Sequence, residues 1–172
     1  MRIIAGQWRG RTLVSPPGDA TRPTADRTRE GLFSMLASRL GSFEGLKVVD
    51  ICAGTGALGL EALSRGAAHC TFVERDRAAQ ETLKANIAKL DAASTLEPRA
   101  AENYRGGPFD LILMDAPYGT NLTAKVFANL STAPGTWASV ETAKAETVAV
   151  EGWTVDAERV FGKAKITLLR KD

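Results

Sequence analysis

Residues 48–59 constrain the fold of this chain more than any other segment. Their sequence is VVDICAGTGALG, in which a β-branched apolar run predicts a strand that ends near Ile51. Gly54 and Gly56 follow and lead into a helix predicted over residues 57–65. Glycines in such a turn let a ligand lie against the backbone, and the helix that follows presents free N–H groups. We therefore expect a ligand site where this strand passes into this helix.

The strand at 46–51 and the helix at 57–65 belong to an alternation that continues along the chain. Apolar periodicity predicts further helices at 24–40, 77–90 and 122–130, and further strands at 70–74, 95–99, 109–114, 136–142, 153–161 and 163–170. Alternating strands and helices imply a mostly parallel sheet with helices on both faces. We predict an α/β fold with a doubly wound, seven-stranded sheet, an antiparallel hairpin at its edge, and an N-terminal strand pair and helix. Residues 143–152 fit either a strand or a loop.

The chain is expected to form one domain. Its 172 residues match about one domain at roughly 150 residues each. No apolar run approaches the roughly 20 residues of a membrane span, and residues 2–6 lack the apolar stretch of a signal peptide. We expect a cytoplasmic protein of one domain, 1–172, that makes no membrane contact and has a basic extension at 1–40.

This extension holds most of the positive charge. Residues 1–40 contain seven arginines and three acidic residues, for a net charge of +4, whereas the remaining residues have a net charge of −2. The planar guanidinium fork matches phosphate geometry, so an arginine-rich extension suits a partner that carries phosphate. An ordinary solvated face would show the same charge count.

Metal chemistry is not expected. The chain has two cysteines, Cys52 and Cys70, and one histidine, His69. These are too few and too far apart for a zinc or redox motif. The predicted strands also hold the two cysteines beyond disulfide reach. We expect both to be small buried apolar residues.

Glu74 ends the second predicted strand. In a doubly wound sheet its carboxylate lies beside the glycine turn of the first strand, where it can accept hydrogen bonds from both hydroxyls of a ribose. Gly54, Gly56 and Gly59 also fit the G-x-G-x-x-G pattern of nicotinamide dinucleotide sites. A ribose-containing cofactor is therefore expected, and a dinucleotide is one alternative.

Asp115-Ala116-Pro117-Tyr118 directly follows the predicted strand at 109–114, so it lies at the same edge of the sheet. The Asp115 carboxylate and the Ala116 carbonyl can both accept hydrogen bonds from an exocyclic amine and turn its lone pair toward an electrophile. Tyr118 can stack on a base drawn into the site. This chemistry requires neither a metal nor a histidine.

Together these motifs resemble those of class I S-adenosylmethionine-dependent methyltransferases. Residues 50–56 (DICAGTG) are similar to the first motif of that superfamily, Glu74 to its ribose-binding acid, and residues 115–118 to the D-P-P-[YF] motif of amine methylation. Residues 2–11 (RIIAGQWRGR) and 22–30 (RPTADRTRE) more narrowly resemble the bacterial 16S rRNA guanine-N2 methyltransferases, the RsmD-like family. Residues 59–67 and 161–166 also fit, so the likeness covers nearly the whole chain.

The resemblance implies a Rossmann-like methyltransferase domain that acts as a monomer. It would transfer a methyl group from S-adenosyl-L-methionine to the N2 amine of a guanine in 16S rRNA, either free or in a small ribosomal subunit or assembly intermediate. The implied catalytic residues are Asp115, Ala116, Pro117 and Tyr118. The implied cofactor-binding residues are Asp50, Ala53, Gly54, Gly56, Glu74, Arg75, Ala101 and Glu102. The implied RNA-binding residues are Arg9, Arg11, Arg22, Arg27 and Arg29.

The sequence departs from the family pattern at two places. Ala116 replaces the second proline of the motif, which keeps the carbonyl but removes a constraint on the turn. The acid expected to contact the adenine amine falls on Ala100 or Ala101, with Glu102 the nearest carboxylate. Two alternative functions stay open: an NAD-dependent oxidoreductase, and an RNA-binding protein whose methyltransferase site has decayed.

Overall fold

The order of helices and strands follows the predicted alternation. The computed structural model describes residues 1–16 and 23–172. Its helices are α1 (Pro23–Leu40), α2 (Ala57–Ser64), α3 (Arg77–Leu90) and α4 (Thr123–Asn129), with a short 3-10 turn at Ala101–Asn103. Its strands are β1 (Lys47–Ile51), β2 (His69–Val73), β3 (Ser94–Glu97), β4 (Leu111–Met114), β5 (Trp137–Ala143), β6 (Trp153–Phe161) and β7 (Ala164–Lys171).

Seven strands in the described part of the chain form one sheet, in the order β3-β2-β1-β4-β5-β7-β6. Strands β1 to β5 are parallel, and β7 is antiparallel to both β5 and β6. The predicted α/β fold with a mostly parallel sheet is therefore confirmed, as is the antiparallel hairpin at its edge. The strand order reverses between β1 and β4, and open sheets of this kind bind ligands in the crevice at that point.

The register of the central strands brings the predicted motifs to the same crevice. Ile51, the last residue of β1, pairs with Val73 on β2 and with Met114 on β4. Glu74 and Asp115 follow those two partners directly. They therefore flank the glycine turn that follows β1.

Apolar side chains cover both faces of the sheet, as predicted. On one face, Phe72 and Leu113 belong to a buried cluster that includes residues of α1, α2 and α3. On the other face, Ile112 and Met114 cluster with Val126 of α4. Alternate residues of each strand contribute to opposite clusters because successive side chains of a strand point to opposite faces.

Residues 1–16 form an arm that one buried carboxylate anchors to α2. Glu61 accepts hydrogen bonds from the backbone N–H groups of Ile4 at 2.9 Å and Ala5 at 3.0 Å. It also forms ion pairs with Arg29 at 3.3 Å and with Arg65 at 3.0 Å. Because Glu61 is fully buried, these four donors compensate the cost of burying its charge.

The tip of the arm lies at the edge of the sheet opposite the crevice. The Arg11 guanidinium donates to the carbonyl oxygen of Lys89, in the last turn of α3, at 3.1 Å. The backbone N–H of Gln7 donates to the carbonyl oxygen of Ser64, the last residue of α2, at 2.8 Å. Both helices begin at the crevice and run back to the other edge. Instead of the predicted strand pair, residues 1–16 contain one β-bridge, between Arg2 and Thr12.

Two further segments complete the fold. Residues 144–152 contain turns and no strand, so the loop alternative is the correct one there. None of the helices in the described ranges has both the length and the apolar character required to cross a membrane.

Candidate active site

Two adjoining cavities open at the carboxyl edge of the sheet. The first has a volume of about 940 Å³ and reaches Glu74 and Ala101. The second has a volume of about 750 Å³ and lies toward Gly54, the first half of α1 and the turn between β6 and β7. Four residues line both cavities: Cys52, Asp115, Tyr118 and Glu141. A ligand in one cavity can therefore meet a ligand in the other at this group.

Glu74 and the glycine turn form one hydrogen-bonded unit. Glu74 Oε1 accepts from Gly54 N at 2.8 Å, and Oε2 accepts from Asp76 N at 2.8 Å. Gly56 adopts a φ of +85°, and a Cβ atom at this position would lie 2.4 Å from a methyl carbon of Leu83. Only glycine fits there without a shift in the core. The turn is thus held in one shape with the Glu74 carboxylate at the wall of the first cavity.

Asp50 makes a contact that the sequence analysis did not anticipate. Its carboxylate is buried, and Oδ2 accepts from the backbone N–H of Gly59 in the first turn of α2 at 2.9 Å. Burial raises the pKa of Asp50 well above its usual range, and the nearby carboxylates of Asp115 and Glu74 add to this effect. Asp50 lines the second cavity but not the first. It therefore fixes the start of α2 beneath the glycine turn.

Three further predicted cofactor residues, Arg75, Ala101 and Glu102, line the first cavity. Ala101 is buried in the 3-10 turn and Glu102 follows it, while Arg75 is exposed at the rim. The lining residues that the sequence analysis missed include Arg99 and Leu122. Leu122 immediately precedes α4, and its signal was weak because a single leucine before a short helix is a common core residue.

Ala53 lines the second cavity and not the first. It is largely buried and lies beside Gly54.

Asp115 lies where the two cavities meet. It forms a carboxyl–carboxylate hydrogen bond with Glu141. Asp115 is exposed as a residue, but the surrounding protein shields its carboxyl group from water. This desolvation and the charge of Glu141 raise the pKa of Asp115 to about 8. Near neutral pH the Asp115 carboxyl therefore keeps its proton.

Glu141 was missed by the sequence analysis. It lies on β5, one residue beyond Val140, which pairs with Met114 at the end of β4. The available signal was an acidic residue that follows a buried apolar run in a strand, the same signal that identified Glu74. It went unnoticed because the sequence alone did not show that β5 lies next to β4.

Tyr118 presents an exposed ring to both cavities, with 48% of the residue accessible. Its hydroxyl donates to Glu141 Oε2 at 3.1 Å. Desolvation and the charge of Glu141 raise the pKa of Tyr118 to about 12, so the hydroxyl stays protonated and remains a donor. Glu146 holds the following loop by accepting from Gly119 N at 2.7 Å and from Ala143 N at 2.7 Å. Pro117 and Ala116 line the first cavity beside the ring.

The described RNA-binding arginines of the prediction belong to the arm and to α1. Arg9 and Arg11 are exposed on the arm, away from the cavities, and Arg27 is exposed on α1. Arg22 lies outside the described residues.

Arg29 requires a correction, because it is 4% exposed and is used inside the protein. It pairs with Glu61 and Asp26 and donates to the carbonyl oxygen of Arg2. A guanidinium buried in this way cannot reach an RNA phosphate.

Comparison with known proteins agrees with this architecture. The family model described as "Conserved hypothetical protein 95" matches residues 1–170. Ribosomal RNA small subunit methyltransferase D of Escherichia coli is 36% identical over 183 aligned residues, which cover 100% of this chain and 90% of that protein. The protein of the same name from Haemophilus influenzae is 34% identical, and the alignment covers 94% of this chain and 89% of that protein.

The solved structure of Escherichia coli yhhF, also 36% identical, superimposes with a TM-score of 0.86 and covers 100% of this chain and 98% of that one. Sequence, fold and the two motifs at the crevice thus agree, and the chain belongs to the family of ribosomal RNA small subunit methyltransferase D.

Proposed function

We propose that this protein transfers a methyl group from S-adenosyl-L-methionine to the N2 amine of a guanine in 16S rRNA. One observation carries the proposal: the carboxyl group of Asp115 and the ring of Tyr118 lie where a cavity beside Glu74 meets a second cavity. A cofactor and a base can therefore occupy adjoining spaces with the amine-binding residues between them. The names of the related methyltransferases support rRNA of the small subunit as the substrate.

The residues around the first cavity fit the proposed cofactor. The Glu74 carboxylate has lone pairs left after its two backbone hydrogen bonds, and these can accept from the ribose hydroxyls. Ala101 and Leu122 supply apolar surface for an adenine ring, and Glu102 and Arg75 lie at its border. Gly54, which lines the second cavity, has no atom within 4 Å of a Cβ position, so its bare backbone faces open space. When bound, the cofactor supplies an electrophilic methyl group on a sulfonium.

The residues at the junction would hold the target. Asp115 and the Ala116 carbonyl accept hydrogen bonds from the amine, which directs its lone pair toward the methyl carbon. As the N–C bond forms and the C–S bond breaks, the amine loses one proton, which leaves to a carboxylate at the junction or to solvent water. Tyr118 offers its ring to the base, since stacking on an aromatic side chain is a common way to hold an unpaired nucleotide. Positioning of this kind supplies most of the acceleration in such a transfer.

The exposed arginines of the arm are proposed to bind RNA outside the site. Arg9 and Arg11 lie at the far edge of the sheet, and α2 alone spans about 12 Å at 1.5 Å per residue. They would therefore contact nucleotides distant from the target guanine. Because the proposed substrate is ribosomal RNA, we place the enzyme in the cytoplasm as a monomer acting on free rRNA or a small-subunit particle.

A labelled-methyl assay tests this function. The protein is incubated with methyl-labelled S-adenosylmethionine and 16S rRNA from a strain that lacks the modification, and the RNA is digested to nucleosides. Labelled N2-methylguanosine is the expected product, and Asp115→Ala is the matched inactive control. Label in another nucleoside would overturn the base assignment. Titration calorimetry with S-adenosylmethionine and with NAD separates the methyltransferase from a dehydrogenase and from a protein that binds RNA alone.

A further inference from the structure

We propose that Glu141 selects guanine by accepting a hydrogen bond from the N1–H group of the target base. This inference rests on the proposed function and adds a specificity residue to it. Glu141 lines both cavities, contacts Asp115 and accepts from the Tyr118 hydroxyl. It therefore lies beside both the amine-binding group and the stacking ring.

Something besides the motif at 115–118 has to distinguish the bases. A carboxylate and a backbone carbonyl can accept from the exocyclic amine of adenine, cytosine or guanine alike. The three bases differ at the ring nitrogen next to that amine, which is an N1–H donor in guanine but a bare acceptor in adenine and cytosine. A second carboxylate beside the first would bond guanine and repel the lone pair of the other two.

Glu141 has capacity for those bonds. An ionised carboxylate offers about four lone-pair positions. The Tyr118 hydroxyl uses one position and the contact with the Asp115 carboxyl uses another. About two positions remain, and the N1–H donor of guanine needs one of them.

Among the described residues, the charge of Glu141 also lacks a lysine or arginine partner. Within residues 1–16 and 23–172, the ion pairs of lysine and arginine do not include Glu141. Glu61 shows the opposite arrangement, since two arginines neutralise it. A carboxylate with no cationic partner in the described residues, at the junction of two cavities, is available to donors on a ligand.

Substituted RNA provides the first test and uses the unmodified enzyme. The methylated guanine is located by the labelled-methyl assay, and RNA fragments containing it are made with guanine or with 2-aminopurine at that position. 2-Aminopurine keeps the amine but has no hydrogen on N1. We expect kcat/KM to be about 10- to 100-fold lower for the 2-aminopurine RNA, the range expected for losing a hydrogen bond to a charged group. Equal kcat/KM for the two RNAs overturns the proposal.

Glu141→Gln provides the second test. A glutamine amide can donate to the bare N1 of 2-aminopurine, so the preference for guanine should fall to within about threefold. The change in the ratio between wild type and variant cancels any intrinsic difference in reactivity between the two amines. Glu151→Gln, at an exposed position outside the site, should keep the wild-type ratio. Cofactor affinity by calorimetry shows whether Glu141→Gln is folded.

The outcomes distinguish this inference from the function on which it rests. If guanine RNA yields no N2-methylguanosine, the proposed function fails. If N2-methylguanosine forms but Glu141→Gln slows both RNAs equally, Glu141 only positions Tyr118 and the inference alone is wrong. Tyr118→Phe removes the hydroxyl while keeping Glu141, and it should retain the preference for guanine.

Discussion

The hydroxyl of Tyr118 donates to Glu141 Oε2 across 3.1 Å and so joins the loop after β4 to β5. The bond fixes one edge of the ring while about half of the residue stays exposed. Tyr118 is therefore held in place before any base arrives, which lowers the entropy lost on binding.

Replacements of Tyr118 should separate the ring from the hydroxyl. Tyr118→Ala removes the stacking surface, and base–aromatic stacking contributes about 1–3 kcal/mol per base. We expect KM for RNA to rise roughly 5- to 150-fold in single-site kinetics, whereas Tyr118→Phe should raise it much less. Equal effects of the two variants would show that the ring does not stack on the base.

Asp115→Asn should exchange activity for stability at alkaline pH. The pKa of Asp115 rises from 3.8 to about 8 in the folded protein. The folded state therefore binds this proton more tightly, and its stability falls as pH rises from about 4 to about 8. An asparagine amide can donate to Glu141 at any pH. We expect a higher Tm than wild type at pH 9 and little difference at pH 4.

The same variant should lose methyl transfer on the order of a hundredfold, as when one preorganised polar group is removed from a reaction site. Single-turnover assays at saturating RNA measure this loss. A Tm difference that does not change with pH would contradict the assignment of the raised pKa to Asp115.

Glu74→Ala should weaken cofactor binding and also destabilise the glycine turn. The substitution removes the acceptors of Gly54 N and Asp76 N together with those proposed for the ribose. Hydrogen bonds to a charged group contribute roughly 1.5–3 kcal/mol, so S-adenosylmethionine affinity should fall about ten- to a hundredfold by calorimetry. Glu74→Gln keeps one oxygen for Gly54 and should fold normally. Unchanged affinity in both variants would remove Glu74 from the cofactor site.

Glu61→Ala should be among the most destabilising substitutions in the chain. It would leave the Arg29 guanidinium buried without its main partner and two backbone N–H groups without acceptors. Removing one partner of a buried ion pair costs about 3–5 kcal/mol, and urea unfolding measures the change. Glu81→Ala, on the exposed face of α3 in an ion pair with Lys84, is the control and should change stability by less than about 1 kcal/mol.

Replacing Arg9 and Arg11 together should affect RNA binding and leave the cofactor site intact. Each phosphate contact contributes to the dependence of affinity on salt. The slope of log K against log salt should become less steep by about one to two units, while S-adenosylmethionine affinity stays the same. An unaltered slope would assign the arm a purely structural role.

Periodicity and turn chemistry were sufficient to predict the crevice. The bounds of α3 were predicted at both ends, and Asp76 caps this helix by accepting from Ala79 N at 2.9 Å. Glu74 and Asp115 were placed at one edge because both end apolar strands, and parallel strands share their carboxyl edge. Each of these signals lies within a short segment of the chain, so a single sequence is enough to detect it.

The features that were missed depend on contacts between distant segments. Arg29 counted as one of seven N-terminal arginines, and nothing in its neighbourhood shows that it meets Glu61, which is 32 positions away. Asp50 has a carboxylate at the expected place, but its orientation toward Gly59 depends on how α2 packs against the sheet. Charge counts and motif matches do not contain this information.

The attachment of the arm to α2 connects the arm, through this short helix, to the glycine turn. The first turn of α2 is held through Gly59 by Asp50, and its middle is held through Glu61 to Ile4 and Ala5. The backbone amides of Ile4, Ala5 and Gly59 keep their carboxylate acceptors only while α2 stays in place. The arm and the start of α2 should therefore exchange their amide hydrogens as one cooperative unit. A truncation before Pro23 would therefore remove more than the basic charge, because it would also leave the Glu61 carboxylate without two of its donors on the helix that supports the glycine turn.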